Sequence, residues 1–271
     1  MRFEIERKMI SKKRMKSVRQ LESKKHRIET GLFVAEGPKV VGDLLAHGPA
    51  VMMACTQTWA SAHPTAPAEE TLVVSEEELR QMSFLQHPQQ VLATFRIPEH
   101  EVSLEQSIAR AADRLCLALD GVQDPGNVGT IIRLADWFGI DTVFCSPDTA
   151  DSYSPKVVQA TMGSIARVTV IPTDLALLID HLPEGTPVYG TLLDGDNLYE
   201  TSLTQQGLLV MGNEGNGLSD AIRSRLTHRL LIPPYPAGHA TAESLNVAIA
   251  TAVCCAEFRR RVNHGQSAYF L

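Results

Sequence analysis

The stretch LLVMGNEGNGLS, residues 208–219, begins as an apolar run and stops abruptly at six residues typical of turns. Residues 208–211 predict a buried strand, and the residues that follow are Gly212, Asn213, Glu214, Gly215, Asn216 and Gly217. A plain turn needs about one glycine and one asparagine. Three glycines therefore indicate backbone that must approach another group closely. A flexible turn with a solvated Glu214 is the alternative.

The run at 208–212 is one of six apolar runs that alternate with helical patterns from residue 115 onward. The other five runs are 115–120, 142–145, 167–171, 188–193 and 229–233, and the helical patterns cover 127–139, 174–181 and 244–262. Strand-like runs separated by helices predict a mainly parallel sheet covered on both faces. We therefore predict an α/β unit over residues 115–271.

The residues before this unit predict a smaller α/β unit. Strand patterns occur at 33–35, 51–54, 72–74 and 89–96, and helical patterns occur at 37–46 and after Ser75, which has capping-box spacing to Glu78. A stretch around Pro98 is the best candidate for a connection between units. The predicted boundaries are 1–97 for the first unit, 98–114 for a linker and 115–271 for the second unit.

Composition predicts a cytoplasmic protein. The chain has 271 residues, 44% of them hydrophobic, and no apolar run reaches the ~18 residues of a membrane span. The N-terminus lacks the apolar stretch of a secretory signal. The five cysteines are Cys55, Cys116, Cys145, Cys254 and Cys255, and they form no CxxC pair. Such a set of thiols is typical of a reduced compartment, and it argues against disulfides and against a structural metal.

Charge is distributed unevenly along the chain. Residues 1–27 contain eleven Lys or Arg residues and three Glu residues, a net charge of +8, which leaves −14 for the remainder because the total is −6. A basic segment on an acidic body is typical of nucleic-acid binding. The alternative is a solvated amphipathic helix whose apolar side is formed by Val18, Leu21 and Ile28.

Two further strand ends carry unusual residues. After the run at 115–120, Asn127 is predicted to cap the following helix, and Arg133 interrupts an apolar helical face. Arg133 is either a surface residue or an anion-binding group. After the run at 229–233, Ser244 is predicted to cap the last helix, and Asn246 lies in its first turn, where asparagine is disfavoured. None of these loops is a Walker loop or a GxGxxG motif.

Together, the three strand ends resemble a known family. The matching pieces are Asn127-x-Gly129-x-x-x-Arg133, Gly212-Asn213-Glu214-Gly215 and Ser244-Leu245-Asn246-Val247. They are similar to the three motifs of the SpoU (TrmH-like) RNA ribose 2′-O-methyltransferases of the SPOUT superfamily, over residues 115–262. The stretch FVAEGPKVVGDLL, residues 33–45, resembles the small L30e-like RNA-binding domain that many such enzymes carry.

The resemblance implies a fold, a cofactor and partners. It implies a C-terminal trefoil knot, which general rules of chain topology would not predict. It also implies a homodimer whose interface includes part of the last helix, with Cys254, Cys255 and Phe258, and RNA as the substrate, with no metal and no membrane. The implied S-adenosylmethionine-binding residues are Gly212, Asn213, Glu214, Ile232, Leu245 and Asn246.

The resemblance also implies roles in catalysis. Arg133 is expected beside the ribose 2′-hydroxyl, in a pocket lined by Asn127, Glu214, Ser244 and Asn246. A guanidinium group stays protonated in proteins, so the expected role of Arg133 is binding a phosphate and stabilising the developing alkoxide. Ribosomal RNA is a better match than transfer RNA, by analogy with other enzymes that carry the L30e-like domain.

One loop departs from the family pattern, and other functions remain open. Residues 233–242 are longer than the usual link before Ser244, and Tyr235 and His239 are interpreted as surface residues rather than RNA contacts. A non-catalytic RNA-binding or ribosome-assembly protein on the same fold is the main alternative. A nucleotide-dependent hydrolase or dehydrogenase is disfavoured because its characteristic loops are absent.

Overall fold

The computed structural model describes residues 10–98, 102–236 and 242–260. The helices are α1 (Lys12–Gln20), α2 (Lys24–Thr30), α3 (Pro38–Leu45), α4 (Gln57–Ala62), α5 (Glu76–Met82), α6 (Leu104–Asp113), α7 (Pro125–Trp137), α8 (Pro155–Ala160), α9 (Leu175–Asp180), α10 (Asp220–Arg223) and α11 (Val247–Arg260). The strands are β1 (Leu32–Glu36), β2 (Met52–Cys55), β3 (Thr71–Val73), β4 (Val91–Arg96), β5 (Leu115–Asp120), β6 (Thr142–Cys145), β7 (Thr169–Pro172), β8 (Val188–Asn197), β9 (Gly207–Gly212) and β10 (His228–Leu231). Every strand that the sequence predicts is present, and the α/β class is confirmed.

The first compact unit contains the residues up to 99 together with 151–166. Its sheet has the order β1-β4-β2-β3, with β4 antiparallel to both of its neighbours and β2 parallel to β3. The capping box before α5 is confirmed, because the Glu78 N–H donates to the Ser75 hydroxyl at 3.2 Å and the Ser75 N–H donates to the Glu78 carboxylate at 2.8 Å.

The described part of the basic segment, from residue 10 onward, contains α1 and the start of α2. Val18 and Leu21 are buried in the core of the first unit, next to Leu79 and Met82 of α5. Ile28, the third residue that the alternative interpretation placed on the apolar side, is 71% exposed, so that part of the alternative is wrong. The described part of the segment therefore packs in the first unit through α1 and the turn that follows it.

Residues 151–166 pack in the first unit although they lie late in the chain. The Asp151 carboxylate accepts a hydrogen bond from the Arg27 guanidinium at 2.7 Å, and the Tyr153 ring lies 5.1 Å from the Phe33 ring, measured between centroids. The sequence assigned these residues to the second unit. It also assigned residues 98–114 to a linker, whereas residues 104–113 form α6 of the second unit.

The second unit is built on a six-stranded parallel sheet with the order β10-β8-β9-β5-β6-β7. The central strands β5 and β9 are buried along almost their whole length, which explains their continuous apolar sequences. Their register pairs Asp120 with Gly212, so the loops that follow both strands begin side by side. This edge of the sheet carries the candidate site.

The described ranges contain neither a membrane-spanning helix nor a metal-binding cluster. No helix within them is long and apolar enough to cross a membrane. Within the same ranges, no group of three or more His, Cys, Asp or Glu side chains is placed to bind a metal ion. The described residues include all five cysteines, which are buried and form no disulfide bond with one another.

Candidate active site

Two loops are joined at the carboxyl edge of the parallel sheet. The Asn213 side-chain amide donates to the Gly121 carbonyl at 2.8 Å, and the Asp120 carboxylate accepts from the Ser219 N–H at 2.7 Å. These bonds tie the loop after β5 to both ends of the glycine loop after β9. The side chain of Asn213 therefore holds two of the predicted motifs in register.

The glycine loop folds closely on itself. The Asn213 carboxamide oxygen accepts from the N–H groups of Gly215 and Asn216 at 2.9 and 3.0 Å, and residues 213 and 217 exchange two main-chain hydrogen bonds of 2.9 Å. A Cβ atom at Gly212 would lie 2.4 Å from the Gly217 carbonyl carbon. The sequence indicates a close approach of backbone at this loop. At Gly212, the group that the backbone approaches is the main chain of the same loop.

A hydrogen-bonded chain connects all three predicted motifs. Glu214 accepts from the Asn127 side-chain amide at 3.0 Å, and also from the main-chain N–H groups of Gln123 and Asp124 at 3.2 and 3.1 Å. The Asn246 side-chain amide donates to the Asn127 carboxamide oxygen at 3.0 Å. Asn127 is thus the central member, because its amide group donates to one motif and accepts from the other.

The two predicted helix caps are wrong. Asp124 caps α7, since its carboxylate accepts from the Asn127 N–H at 2.8 Å. Helix α11 begins at Val247, and the Asn246 carboxamide oxygen accepts from the N–H groups of Ala248 and Ile249 at 3.0 and 3.3 Å. Asn127 is therefore free to bridge the motifs, and Asn246 both caps a helix and bonds to Asn127.

The hydrogen bonds also affect the ionisation of Glu214. Partial burial raises the pKa of its carboxyl group, but the hydrogen bonds from Asn127 and the main chain outweigh that effect and place the pKa below its usual value. A lowered pKa means that the network contributes stability above the ordinary glutamate pKa. That contribution is lost as the pH falls through the lowered pKa, so the network is intact at neutral pH.

A cavity of about 600 Å³ opens beside the glycine loop. The predicted residues that line it are Gly212, Asn213, Glu214, Ile232, Ser244 and Leu245; Asn246 is not among its lining residues. Residues 191–194 and Arg223 also line it and were missed, and the Arg223 guanidinium donates to the Asp194 carboxylate at 2.6 Å. The sequence signal for them is the polar continuation Asp194-Gly195-Asp196 of the apolar run at 188–193.

Arg133 stands apart from this network. It is exposed on α7 and does not line the cavity. Among the described residues of the second unit, Arg133 is the one arginine with no hydrogen bond or ion pair. The other eight arginines bond to carboxylates, hydroxyls or carbonyls; they are Arg110, Arg114, Arg167, Arg223, Arg225, Arg229, Arg259 and Arg260. The guanidinium of Arg133 is thus available to a ligand.

Three large apolar side chains are exposed at the end of α7 and around the start of α11. Trp137 is 82% exposed, Ile249 55% and Leu245 51%. By contrast, Cys254, Cys255 and Phe258, which were predicted at a dimer interface, are fully buried within the chain. Those three side chains therefore belong to the core, and that part of the prediction is wrong.

Comparisons with known proteins match both units. Residues 114–256 match the model of the SpoU rRNA Methylase family, and residues 12–93 match that of the MRM3-like substrate binding domain. The chain belongs to the SpoU rRNA methylase family. The SpoU-type match contains all three motifs joined by Asn127, and the resemblance stated from the sequence is confirmed.

Some relatives of this SpoU-family chain are similar to it over nearly its whole length. The chain is 32% identical to the 23S rRNA (guanosine(2553)-2′-O)-methyltransferase RlmP of Bacillus subtilis, covering 89% of this chain and 93% of that protein. The structure of a TrmH-family protein from Porphyromonas gingivalis has a TM-score of 0.82 at 41% identity, covering 94% and 100% of the two chains. The structure of an AdoMet-bound rRNA methyltransferase from Sinorhizobium meliloti has a TM-score of 0.79 at 29% identity, covering 94% and 97%.

Proposed function

We propose that this chain transfers the methyl group of S-adenosylmethionine to a ribose 2′-hydroxyl of ribosomal RNA. The observation that carries the proposal is the bonded chain of Glu214, Asn127 and Asn246, which joins the three SpoU motifs beside a 600 Å³ cavity. A relative that covers most of the chain is named for 2′-O-methylation of 23S rRNA, which favours ribosomal over transfer RNA.

The cavity fits the cofactor in size and in chemistry. Its volume lies within the range of sites for ligands of this size. The N–H groups of residues 213, 215, 216 and 217 are used inside the loop, so the loop can offer a ligand carbonyl oxygens, which accept hydrogen bonds. Acceptors suit the exocyclic amine of adenine and the positive sulfonium group. Met211, Ile232 and Leu245 supply apolar walls.

Each motif residue then has a physical role. When bound, S-adenosylmethionine supplies a methyl group on a positive sulfur. Asn127, Glu214 and Asn246 hold the loops around the cavity in one geometry, which supplies rate by positioning the reactants. Ser244 lines the cavity beside Leu245. Arg133 binds a phosphate of the substrate and stabilises negative charge on the attacking oxygen.

We further propose a homodimer that uses the apolar surface of α7 and α11. Trp137 of α7, Ile249 of α11 and Leu245, which lies two residues before α11, are large and exposed. Helices α7 and α11 pack against each other, and a second copy would cover these side chains. Arg133 lies one helical turn before Trp137, so this interface would adjoin the proposed site. The trefoil knot stays part of the proposal. It is supported by the path of the chain, because β10 lies at one edge of the sheet and α11, which follows it in sequence, packs against α7.

A reduced compartment, such as the cytoplasm, is consistent with the thiols. Burial raises the pKa of Cys254 and of Cys255 to about 12 each, so both remain protonated and unreactive at neutral pH. Cys116 is buried as well, and its pKa is also raised to about 12. None of these thiols has the exposed, electropositive setting of a redox-active cysteine.

Methyl transfer from tritium-labelled S-adenosylmethionine to unmodified ribosomal RNA tests the proposal. Alkaline digestion leaves a 2′-O-methylated nucleotide in an uncleaved dinucleotide, and we expect the label there. Transfer RNA is tested in parallel. Assembled ribosomal subunits are tested as well, because an enzyme of this kind can require the folded ribosomal particle rather than free RNA as its substrate. Absence of label in every RNA, together with no binding of the cofactor, would favour the non-catalytic RNA-binding alternative.

Asn127→Ala is expected to lower the rate of methyl transfer by about 10²-fold, because a displacement of about 1 Å in positioning groups costs that much. The change removes the donor to Glu214 and the acceptor of Asn246. Single-turnover rates at saturating RNA measure the effect. Thr130→Ala, on an exposed position of the same helix, is the matched control. Equal rates for both variants would contradict the positioning role.

A further inference from the structure

Lysine is almost confined to the basic segment. Six of the eight lysines of the chain lie in residues 1–27, and the other two are Lys39 and Lys156 of the first unit. The chain also contains 17 arginines, which are spread over both units. Lysine is therefore confined to the first unit, whereas arginine occurs in both units, and on α1 the two kinds of cation differ in what they contact.

The three described arginines of the basic segment, Arg14, Arg19 and Arg27, bind groups of the first unit. Arg14 pairs with Glu70, and Arg19 donates to the Ser83 carbonyl at 2.6 Å while its guanidinium lies 4.4 Å above the Phe84 ring. Arg27 is 3% exposed and donates to the carbonyls of Leu21 and Glu22 at 2.6 and 2.8 Å, as well as to Asp151. These contacts fix α1 and the turn after it against the unit.

The lysines of α1 point away from the body of the first unit. Lys12, Lys13 and Lys16 are all exposed, and in the described part of the chain none of them forms a hydrogen bond or an ion pair. Lys12 and Lys16 are four residues apart, and Lys13 and Lys16 are three apart, so their side chains are neighbours on the helix surface. Like charges at these spacings destabilise a helix, and α1 has no acidic residue in its first turn to offset them.

We propose that Lys12, Lys13 and Lys16 form a lysine face that binds phosphates of the substrate RNA. The proposal rests on the proposed function only in taking RNA as the substrate. Lysine is a compact point charge suited to phosphate contacts independent of sequence. Residues 28–271 carry a net charge of −14 and would repel a polyanion, so a fixed cationic face would offset that repulsion.

The salt dependence of RNA binding tests the lysine face. The double variant Lys12→Gln/Lys16→Gln is compared with Lys39→Gln/Lys156→Gln, which removes two charges from the same unit outside the face. The probe is a fluorescein-labelled transcript of 23S ribosomal RNA, and the Kd is measured between 50 and 200 mM salt. We expect the slope of log K against log salt to become shallower by about 1.5 in the first variant only, since each phosphate contact contributes about 0.7–0.9.

Two further measurements separate this inference from the proposed function. The single-turnover methylation rate of the control variant Lys39→Gln/Lys156→Gln is expected to stay within about twofold of wild type, and Lys12→Arg/Lys16→Arg is expected to restore the slope, because the charge is kept. Equal slopes for the two glutamine variants would overturn the lysine face even if methyl transfer is normal. Polyglutamate is tested as a competing polyanion. If it binds as tightly as RNA and its binding depends equally on Lys12 and Lys16, the lysine face is overturned as an RNA site, because an acidic protein would then be the partner. A shallower slope without methyl transfer to any RNA would instead refute the proposed function alone.

Discussion

Arg133→Ala is expected to lower the single-turnover rate of methyl transfer by about 10²–10³-fold, the usual cost of removing one group that stabilises developing oxyanion charge. Affinity for S-adenosylmethionine, measured by calorimetry, is expected to stay unchanged because Arg133 does not line the cavity. The change should also leave stability within about 0.5 kcal/mol, since the exposed guanidinium has no partner among the described residues.

Two variants sharpen this expectation. Arg114→Ala removes another exposed arginine of the second unit, one already paired with Asp141 at 2.6 Å, and is expected to keep the wild-type rate. Arg133→Lys keeps the charge but loses the planar fork, and we expect an intermediate rate. A wild-type rate in Arg133→Ala would remove this residue from the proposed mechanism, while leaving the roles of Asn127, Glu214 and Asn246 to their own tests.

Arg27→Met is expected to destabilise the first unit by about 3 kcal/mol, at the lower end of the range for breaking a buried ion pair. Arg27 is 3% exposed, whereas the Asp151 side chain is 21% exposed. Water therefore partly screens the Asp151 carboxylate that the substitution leaves without its partner, which is why the lower end of the range applies. The substitution also leaves the carbonyls of Leu21 and Glu22 without their donor. Urea unfolding followed by circular dichroism measures the free energy.

The ion pair can be isolated from the packing of the arginine. In Arg27→Met/Asp151→Asn, the second change removes the uncompensated charge, and we expect it to recover part of the lost stability. Lys25→Met, on an exposed position of the same helix, is the control and should change stability by less than about 0.5 kcal/mol. A loss as small as the control's in Arg27→Met would show that α2 does not depend on this pair.

Much of the fold follows from the sequence because buried parallel strands have a simple signature. Strands β5 and β9 are covered on both faces, so both read as unbroken apolar runs. The smaller unit was recognisable by the same reasoning, and Ser75 with Glu78 marked the start of α5. The family motifs at the strand ends were also visible, and the comparisons confirm the family.

The fine geometry of the site did not follow from the sequence. Asp124 and Asn127 are both good helix caps three residues apart, and only the hydrogen bond between them shows which one caps α7. Ser244 and Asn246 present the same ambiguity at α11. The packing of residues 151–166 in the first unit depends on Arg27 and Phe33, more than a hundred residues away, which no local pattern reveals. The individual roles of the site residues remain predictions.

The confinement of lysine to the first unit has a practical consequence for labelling. Amine-reactive dyes, biotin esters and surface-coupling reagents modify lysines and the N-terminal amine, and every lysine of this chain lies in the first unit. Dye attached by this route would leave the side chains of the second unit chemically untouched. Its attachment to the exposed lysines of α1 would make it a local reporter there, and coupling to a chip would hold the protein through the first unit.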